Sequence, residues 1–270
     1  MMQKIIVLGR PGSGKSTLSK KLHDITGIPL YHLDNIWWKE DGTHISRDEF
    51  DDRLETLLDQ ERCIIDGDYS RTYEKRIVEC DTIIFLDYDK SVCINGINER
   101  VGRKRSDLPW IEKDRDPELL RQIEDYDKEN KPILEDLFRR YADKKLIILS
   151  SREAALLWLI SEVIIGSDVE GTIDRPVGSA HPDHPDMIYP INYGYVDNVV
   201  ADDGEKQDVY IFGSDKPIKS FKGKVIAVYH RLNDNEDKWI VSTDGKDHSD
   251  QEILKAIEFQ EQYFTGELLR

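Results

Sequence analysis

A glycine loop near the start of this chain sets most of what can follow it. Gly9-Arg10-Pro11-Gly12-Ser13-Gly14-Lys15-Ser16 comes directly after the apolar run Ile5 to Leu8 and opens onto the amphipathic run Thr17 to His23. The spacing GxxxxGK[ST] between a strand and a helix predicts a turn whose backbone N–H groups, with the helix N-terminus behind them, face a phosphate. Gly9, Gly12, Ser13 and Gly14 shape that turn. Lys15 spreads charge over the β- and γ-oxygens, Ser16 can ligate Mg2+, and Thr17 continues the helix, so ATP with Mg2+ is the expected ligand. A plain glycine turn with a capping serine leaves the lysine unexplained.

The rest of the first 160 residues keeps the rhythm this loop requires. Pro29 to Leu33, Cys63 to Ile65, Thr82 to Leu86 and Lys145 to Leu149 read as further short strands separated by helix-period stretches. Alternation of this kind predicts an α/β unit, a parallel sheet with helices on both faces. Near Ser161 the texture changes. Val163 to Ile165, Gln207 to Phe212, Lys224 to His230 and Trp239 to Ser242 read as strands between Asp, Gly, Pro and Asn clusters, and Asp250 to Tyr263 as a closing helix. Two domains are expected, 1–160 and 161–270, which suits 270 residues at roughly 150 per domain.

Charge sharpens the division. The chain carries 38 basic and 54 acidic residues, a net −16; residues 1–160 hold 27 against 32 and residues 161–270 hold 11 against 22. Such a surface repels nucleic-acid backbones and anionic membranes, and no apolar run approaches the ~20 residues of a membrane span. An acidic module that nonetheless handles an anion needs metal ions between them. Cys63, Cys80 and Cys93 are odd in number and lack CxxC spacing, so reduced thiols and a cytoplasmic chain are expected. Self-association is left open.

Around the glycine loop the sequence resembles the adenylate-kinase-like small P-loop kinases, in particular the topology-modulation or FlaR-type branch. The resemblance runs over nearly all of residues 1–158 and is carried by GRPGSGKST, YHLDNIWW, CIIDGDYSRT, DTIIFLDY and NERVGRKR. It implies that Asp66 orients Mg2+-bound water and that Arg71 holds the acceptor or the transferring phosphoryl group, IIDGDYSRT being one residue longer than the family's segment. Arg100 and Arg103, with Lys104 and Arg105, match a lid whose cations clamp ATP. Asp34, closing the second strand, is the candidate base or ligand for a small-molecule acceptor; it could equally cap the next helix. His32 reads as a core histidine, and Trp37 and Trp38 as packing residues that could stack an acceptor.

From residue 164 the sequence is similar to the soluble family I inorganic pyrophosphatases, through TIDRPVGSAHPDHPDMIYPINYGYV, DGEKQDVY, HRLNDNEDKW and FQEQYF. That likeness implies a five-stranded barrel with a C-terminal helix. It also implies a Mg2+ site of Asp203, Glu205, Asp208, Asp234 and Asp237, with Glu205 and Asp208 in catalysis and Arg175, Tyr193, Lys238 and Tyr263 on the phosphates of pyrophosphate. Three departures stand out: Glu205 replaces an Asp, Phe264 replaces a lysine, and the stretch between Asp174 and Tyr189 has only Arg175 as a permanent cation. Lys238, Arg175 and Arg231 are the candidates to compensate. The expectation is a bifunctional protein, an ATP-dependent phosphotransferase joined to a Mg2+-dependent pyrophosphatase-like hydrolase. Two alternatives stand beside it: a nucleotide- and phosphate-sensing regulator with a non-hydrolysing barrel, and a barrel that hydrolyses another phosphoanhydride.

Overall fold

A computed structural model describes residues 2–105, 107–201, 203–234 and 236–270. It divides into two compact units, residues 1–23 with 27–156, and residues 24–26 with 157–270.

In the first unit the chain runs β1 (Lys4–Gly9), α1 (Lys15–Thr26), β2 (Leu30–His32), α2 (Leu33–Trp37), α3 (Arg47–Leu58), β3 (Cys63–Asp66), α4 (Tyr73–Glu79), β4 (Thr82–Leu86), α5 (Lys90–Arg100), α6 (Pro117–Glu129), α7 (Lys131–Arg140), β5 (Lys145–Leu149) and α8 (Arg152–Leu159). The five strands form one parallel sheet in the order β2-β3-β1-β4-β5. Ile5, Ile6, Val7 and Leu8 are all buried, as a central strand covered on both faces must be. Ile6 sits level with Ile65 on one side and Ile83 on the other. Phe50, Leu54, Tyr73, Ile77, Leu134 and Leu137 come from the helices to complete this core. Caps fix where helices begin: Ser46 accepts from Glu49 N–H at α3, and Asp116 from Glu118 N–H at α6 with Pro117 in the first turn. Because β1 lies between β3 and β4, the connections leaving β1 and β3 pass to opposite sides, which opens a crevice at the carboxyl ends of the strands.

The second unit contains β6 (Asp168–Arg175), β7 (Asn192–Val200), β8 (Lys206–Phe212), β9 (Ser220–Arg231), β10 (Lys238–Ser242), α9 (Asp250–Glu261) and β11 (Gly266–Leu269). The order β10-β8-β7-β6-β9 closes on itself because β10 also pairs antiparallel with β9, giving a five-stranded barrel; β11 adds to β9 outside the ring. Closure removes the open edges that a sheet of this size would otherwise expose. At Gly194 a Cβ would lie 2.0 Å from the Thr172 carbonyl oxygen, so the β6–β7 approach needs glycine there. A capping box between Ser249 and Glu252 starts α9, which buries Ile253 and Ile257 against Tyr189, Tyr210 and Ile240.

One expected strand is absent. Val163 to Ile165 lies in and just after a π-helical turn, Ile160–Ile164, that continues α8, and the first barrel strand begins at Asp168. The apolar run from Ala154 through Ile165 carries no period that separates a buried helix end from a strand. No helix among the described residues is long and apolar enough to cross a membrane.

Candidate functional sites

The crevice of the first unit gathers the ends of β1, β2 and β3. Gly9 and Gly12 both have positive φ, +143° and +80°. A Cβ on Gly12 would lie 2.1 Å from the Cys93 carbonyl oxygen, and one on Gly96 would lie 2.2 Å from the Gly12 carbonyl oxygen, so the loop is seated on α5 backbone to backbone. Lys15 Nζ donates to the carbonyls of Gly9 at 2.7 Å and Arg10 at 3.1 Å, curling over the loop. Ser13 Oγ is buried with no partner. The helix has no side-chain cap; Gly14 occupies that position at φ 91°, which leaves the first N–H groups of α1 to a ligand. Arg10 is not part of this offer: buried, it donates to the Tyr88 carbonyl, pairs with Asp127 and lies 5.3 Å over the Tyr126 ring, fastening α6.

Asp66 and His32 are register partners on adjacent strands, and their side chains meet, Nδ1 to Oδ2, at 2.7 Å. Burial works against the charged ring of His32, but the Asp66 hydrogen bond and nearby carboxylates outweigh it and raise the histidine's pKa. The other Asp66 oxygen, Oδ1, is buried without a partner. An orphaned carboxylate oxygen at the end of β3, level with Val7 of the strand that leads into the glycine loop, is a fit for a hydrated Mg2+, so the residues present suit ATP with its metal. Asp34 accepts from the Tyr69 hydroxyl at 2.7 Å. Burial pushes its pKa up, and Asp66 and Asp107 add to this against Tyr69 and Lys15.

Arg71 is not at this site. It forms a two-pronged pair with Asp51, 2.7 Å on each branch, on the exposed side of α3. Arg71 belongs to a 3-10 turn, Ser70–Thr72, in which it is exposed and Thr72 is buried. The arginine that turns inward is Arg76, fully buried, which donates to the carbonyls of Gly67 and Tyr69 and to Thr72 Oγ1 and so shapes the segment after Asp66. Its position between Tyr73 and Ile77, on the buried face of α4, was the available signal. Asp87, just past the end of β4, pairs with Lys131 at 2.8 Å.

The lid cations hold carboxylates that sequence reasoning missed. Arg100 meets Glu112 at 2.8 Å, and Arg105 meets both Glu112, at 2.9 Å, and Asp107. Asp107 is 3% exposed; burial would raise its pKa, but Arg105, helped by the Ser16 hydroxyl and His32, holds it below the usual carboxylate range. Arg103 and Lys104 are exposed. Trp37 stacks on His44 with ring centres 4.4 Å apart, and Trp38 meets Trp110 edge-to-face at 5.5 Å.

In the barrel the polar centre is built on the inward face of β7, β8 and β10. Lys238, 1% exposed at its side chain, donates to Asp208 at 2.5 Å, Glu236 at 2.6 Å and the Tyr193 hydroxyl at 3.1 Å; Tyr193 in turn donates to Asp208 at 2.5 Å. Residues alternate faces along an extended chain, so Glu236 shares the side of Lys238 while Asp237 turns away to His230 at 2.7 Å. Glu236 was therefore legible from period two, and was missed in favour of Asp237. Asp203 and Glu205 sit on the exposed turn between β7 and β8, where Asp203 accepts from the Glu205 N–H at 2.9 Å. Asp234 pairs with Arg231 at 2.9 Å. Arg231 also takes both oxygens of Glu261, and Phe264 covers it at 3.5 Å, so this arginine is an interior residue rather than a phosphate ligand. Arg175 pairs with Asp174 at 2.8 Å. Tyr263 is 68% exposed and borders a groove of about 1080 Å³ with His181, His184 and Phe264.

The five expected metal carboxylates are thus held apart, on an exposed turn, on Lys238, on Arg231 and on His230. Among the described residues no three His, Cys, Asp or Glu side chains converge on a metal position. In this arrangement the described donors of the barrel do not form a site that fits Mg2+.

Comparison with known proteins divides along the same line. Residues 162–265 match the family model of inorganic pyrophosphatase. Adenylate kinases of Thermotoga petrophila and Thermotoga maritima are 30% identical over 95 residues, 34% of this chain and 42% of theirs, so the chain spans less than half of the curated relatives it matches. Among solved structures, shikimate kinase from Bacteroides thetaiotaomicron aligns over 59% of this chain and 97% of its own (15% identity, TM-score 0.40). Inorganic pyrophosphatase from Thermus thermophilus aligns over 36% and 72% (18% identity, TM-score 0.29). By sequence, the chain is similar to adenylate kinases over 95 residues and to inorganic pyrophosphatases over residues 162–265.

Proposed function

We propose that this protein carries out phosphate chemistry at two centres, ATP-dependent phosphoryl transfer in the first unit and phosphoanhydride hydrolysis, with pyrophosphate as the reference substrate, in the second. The observation that supports it is that each unit assembles phosphate-handling side chains by itself: Lys15, Ser16 and Asp66 around the glycine loop, Tyr193, Asp208 and Lys238 in the barrel.

In the first unit the loop N–H groups and Lys15 hold the nucleotide phosphates, and Ser16 with Asp66 Oδ1 would hold the metal, which neutralises phosphate charge when bound. Arg100, Arg103 and Arg105 close over the phosphates, and Asp34 receives the acceptor's proton. In the barrel, Tyr193 and Lys238 donate to phosphate oxygens and Asp208 accepts a proton from attacking water. The second reading, a sensor that binds phosphate without turnover, is favoured by one feature, the engagement of Asp208 and Glu236 with Lys238 in place of a shared metal. Phosphate release from pyrophosphate, with and without Mg2+ and measured beside a calorimetric pyrophosphate titration, separates the two. Release supports the hydrolase; pyrophosphate binding without release leaves the sensor; neither binding nor release removes both. Transfer by the first unit is read separately, as ADP formed from ATP in the presence of acceptors.

A further inference from the structure

The charged side chains of the lid end on the phosphate loop. Arg100 meets Glu112 at 2.8 Å, Glu112 receives Arg105 at 2.9 Å, and Arg105 forks onto Asp107, Nε to Oδ1 at 2.9 Å and its other branch to Oδ2. Asp107, 3% exposed, accepts in turn from the hydroxyl of Ser16 in the first turn of α1. The Gly102 N–H donates to the Glu112 carbonyl at 2.8 Å and ties the two ends of this segment together. The row therefore runs Arg100, Glu112, Arg105, Asp107, Ser16, alternating in sign up to the hydroxyl.

A carboxylate beside a phosphate loop repels the ligand unless it is neutralised. Arg105 neutralises Asp107 and keeps it ionised, so that its oxygens only accept. The pair is a poor device for stability alone, since apolar side chains of similar volume hold a buried position about as well. What it can do, and they cannot, is direct a hydroxyl. Ser16 has one proton and two lone pairs, and once the proton is committed to Asp107 the lone pairs are left for a cation. Asp66 shares this neighbourhood, because His32 and Asp34 each feel the charges of both Asp66 and Asp107. Its Oδ1 is buried without a partner.

Resting on the reading of this unit as an ATP-dependent phosphotransferase, we propose that Asp107 is a positioning residue: it fixes the Ser16 hydroxyl as a donor to the lid, so that the serine oxygen is presented, lone pairs first, to the Mg2+ that arrives with ATP. Asp107 acts through Ser16 and touches neither metal nor phosphate. No side chain has to leave its partner for this. The lid thus contributes to metal binding from a segment that carries no metal ligand, and nucleotide without metal gains nothing from it.

The test is calorimetric titration of the full chain with ATP, in Mg2+ and in EDTA, so that the readout is affinity and not turnover. The parent should bind ATP about tenfold more tightly with Mg2+. Asp107→Asn keeps the shape but leaves Arg105 and Ser16 one carbonyl oxygen to share; it should cut that gain to about twofold, with affinity in EDTA within about twofold of the parent. Ser16→Ala should show the same loss, and the double variant should lose no more than Ser16→Ala alone, because one residue acts through the other. If the asparagine variant does not fold, Asp107→Ala carries the same comparison, since its Arg105 retains Glu112. A full Mg2+ gain in the Asp107 variant, equal weakening with and without metal as a purely structural role would give, or losses that add in the double variant overturns the proposal. A parent that binds ATP with no gain from Mg2+ overturns it too and leaves the loop as a nucleotide site. A parent that does not bind ATP removes the reading of this unit and the proposal with it.

Discussion

The two polar centres of this molecule keep their lysines in opposite conditions. Lys15 rests on two backbone carbonyls at the rim of an open loop, whereas Lys238 is enclosed by Asp208, Glu236 and Tyr193. Neutral carbonyls release a lysine to a polyphosphate at little cost, because the phosphates offer more charge than the oxygens they replace. Carboxylates do not: the ligand must compete with two full charges in a site of low dielectric. The first centre is ready for an anion, and the second is already neutralised from within.

That contrast can be broken by substitution. Lys15→Ala should lower ATP-dependent turnover by about a thousandfold, roughly 4 kcal/mol of transition-state stabilisation, and leave the thermal midpoint unchanged. Steady-state ADP assays and a melting curve check both halves. A variant that turned over ATP like the parent would end the kinase reading. Arg231→Ala should do the reverse. It strips Glu261 of its partner in the barrel interior and should cost about 3 kcal/mol of stability in a denaturant titration, with no effect on ATP turnover. An unaffected barrel would mean that this pair does not anchor α9.

Phe264→Lys sharpens the contrast at smaller scale. By the family pattern the added lysine ought to strengthen phosphate binding. The phenyl ring, however, covers the Arg231 guanidinium at 3.5 Å, so an ammonium there should destabilise the barrel by about 1–2 kcal/mol without tightening pyrophosphate binding. Calorimetry showing tighter pyrophosphate would refute this placement. The smallest effect concerns His32. Its pKa is raised in the folded chain, so its pairing with Asp66 contributes fully below the ordinary histidine value near 6.5 and is lost as pH rises through the folded value. His32→Gln should flatten the fall in melting temperature between neutral and mildly alkaline pH; an unchanged pH profile would show that the pair does not titrate there.

The parts of this fold that could be read from residues were those in which one constraint acts alone. The three central parallel strands, β3, β1 and β4, are buried and appear as plain apolar runs, and the glycine loop fixes strand, turn and helix at once. Barrel strands are harder. β6, Asp168–Arg175, and β7, Asn192–Val200, alternate imperfectly because bulges interrupt their register between Ile173 and Arg175 and between Tyr195 and Val200. β11 is four residues that gain order from pairing with β9 rather than from composition. Among site residues, Asp66 and Lys15 announced themselves by position in a motif. Glu112 and Asp107 could not, since their role arises from a lid that folds back on the crevice, and no local period encodes that return. The joint placed near Ser161 remains a proposal: fragments 1–160 and 162–270 are expected to unfold cooperatively on their own, as circular dichroism would show.

The contact between Gly12 and Gly96 has a consequence for how this protein tolerates change. Gly96 lies about 80 residues beyond the loop, in the helix ahead of the NERVGRKR segment, yet a single methyl group there would press on the Gly12 carbonyl. Mutational tolerance should therefore be poor at a site that motif scanning passes over, and Gly96→Ala should mimic a lesion in the loop itself. The same helix ends at Arg100, where the lid begins. Loop and lid are thus carried by one helix, and glycine in the middle of α5 is a packing requirement set by the loop and not a weakness of the helix.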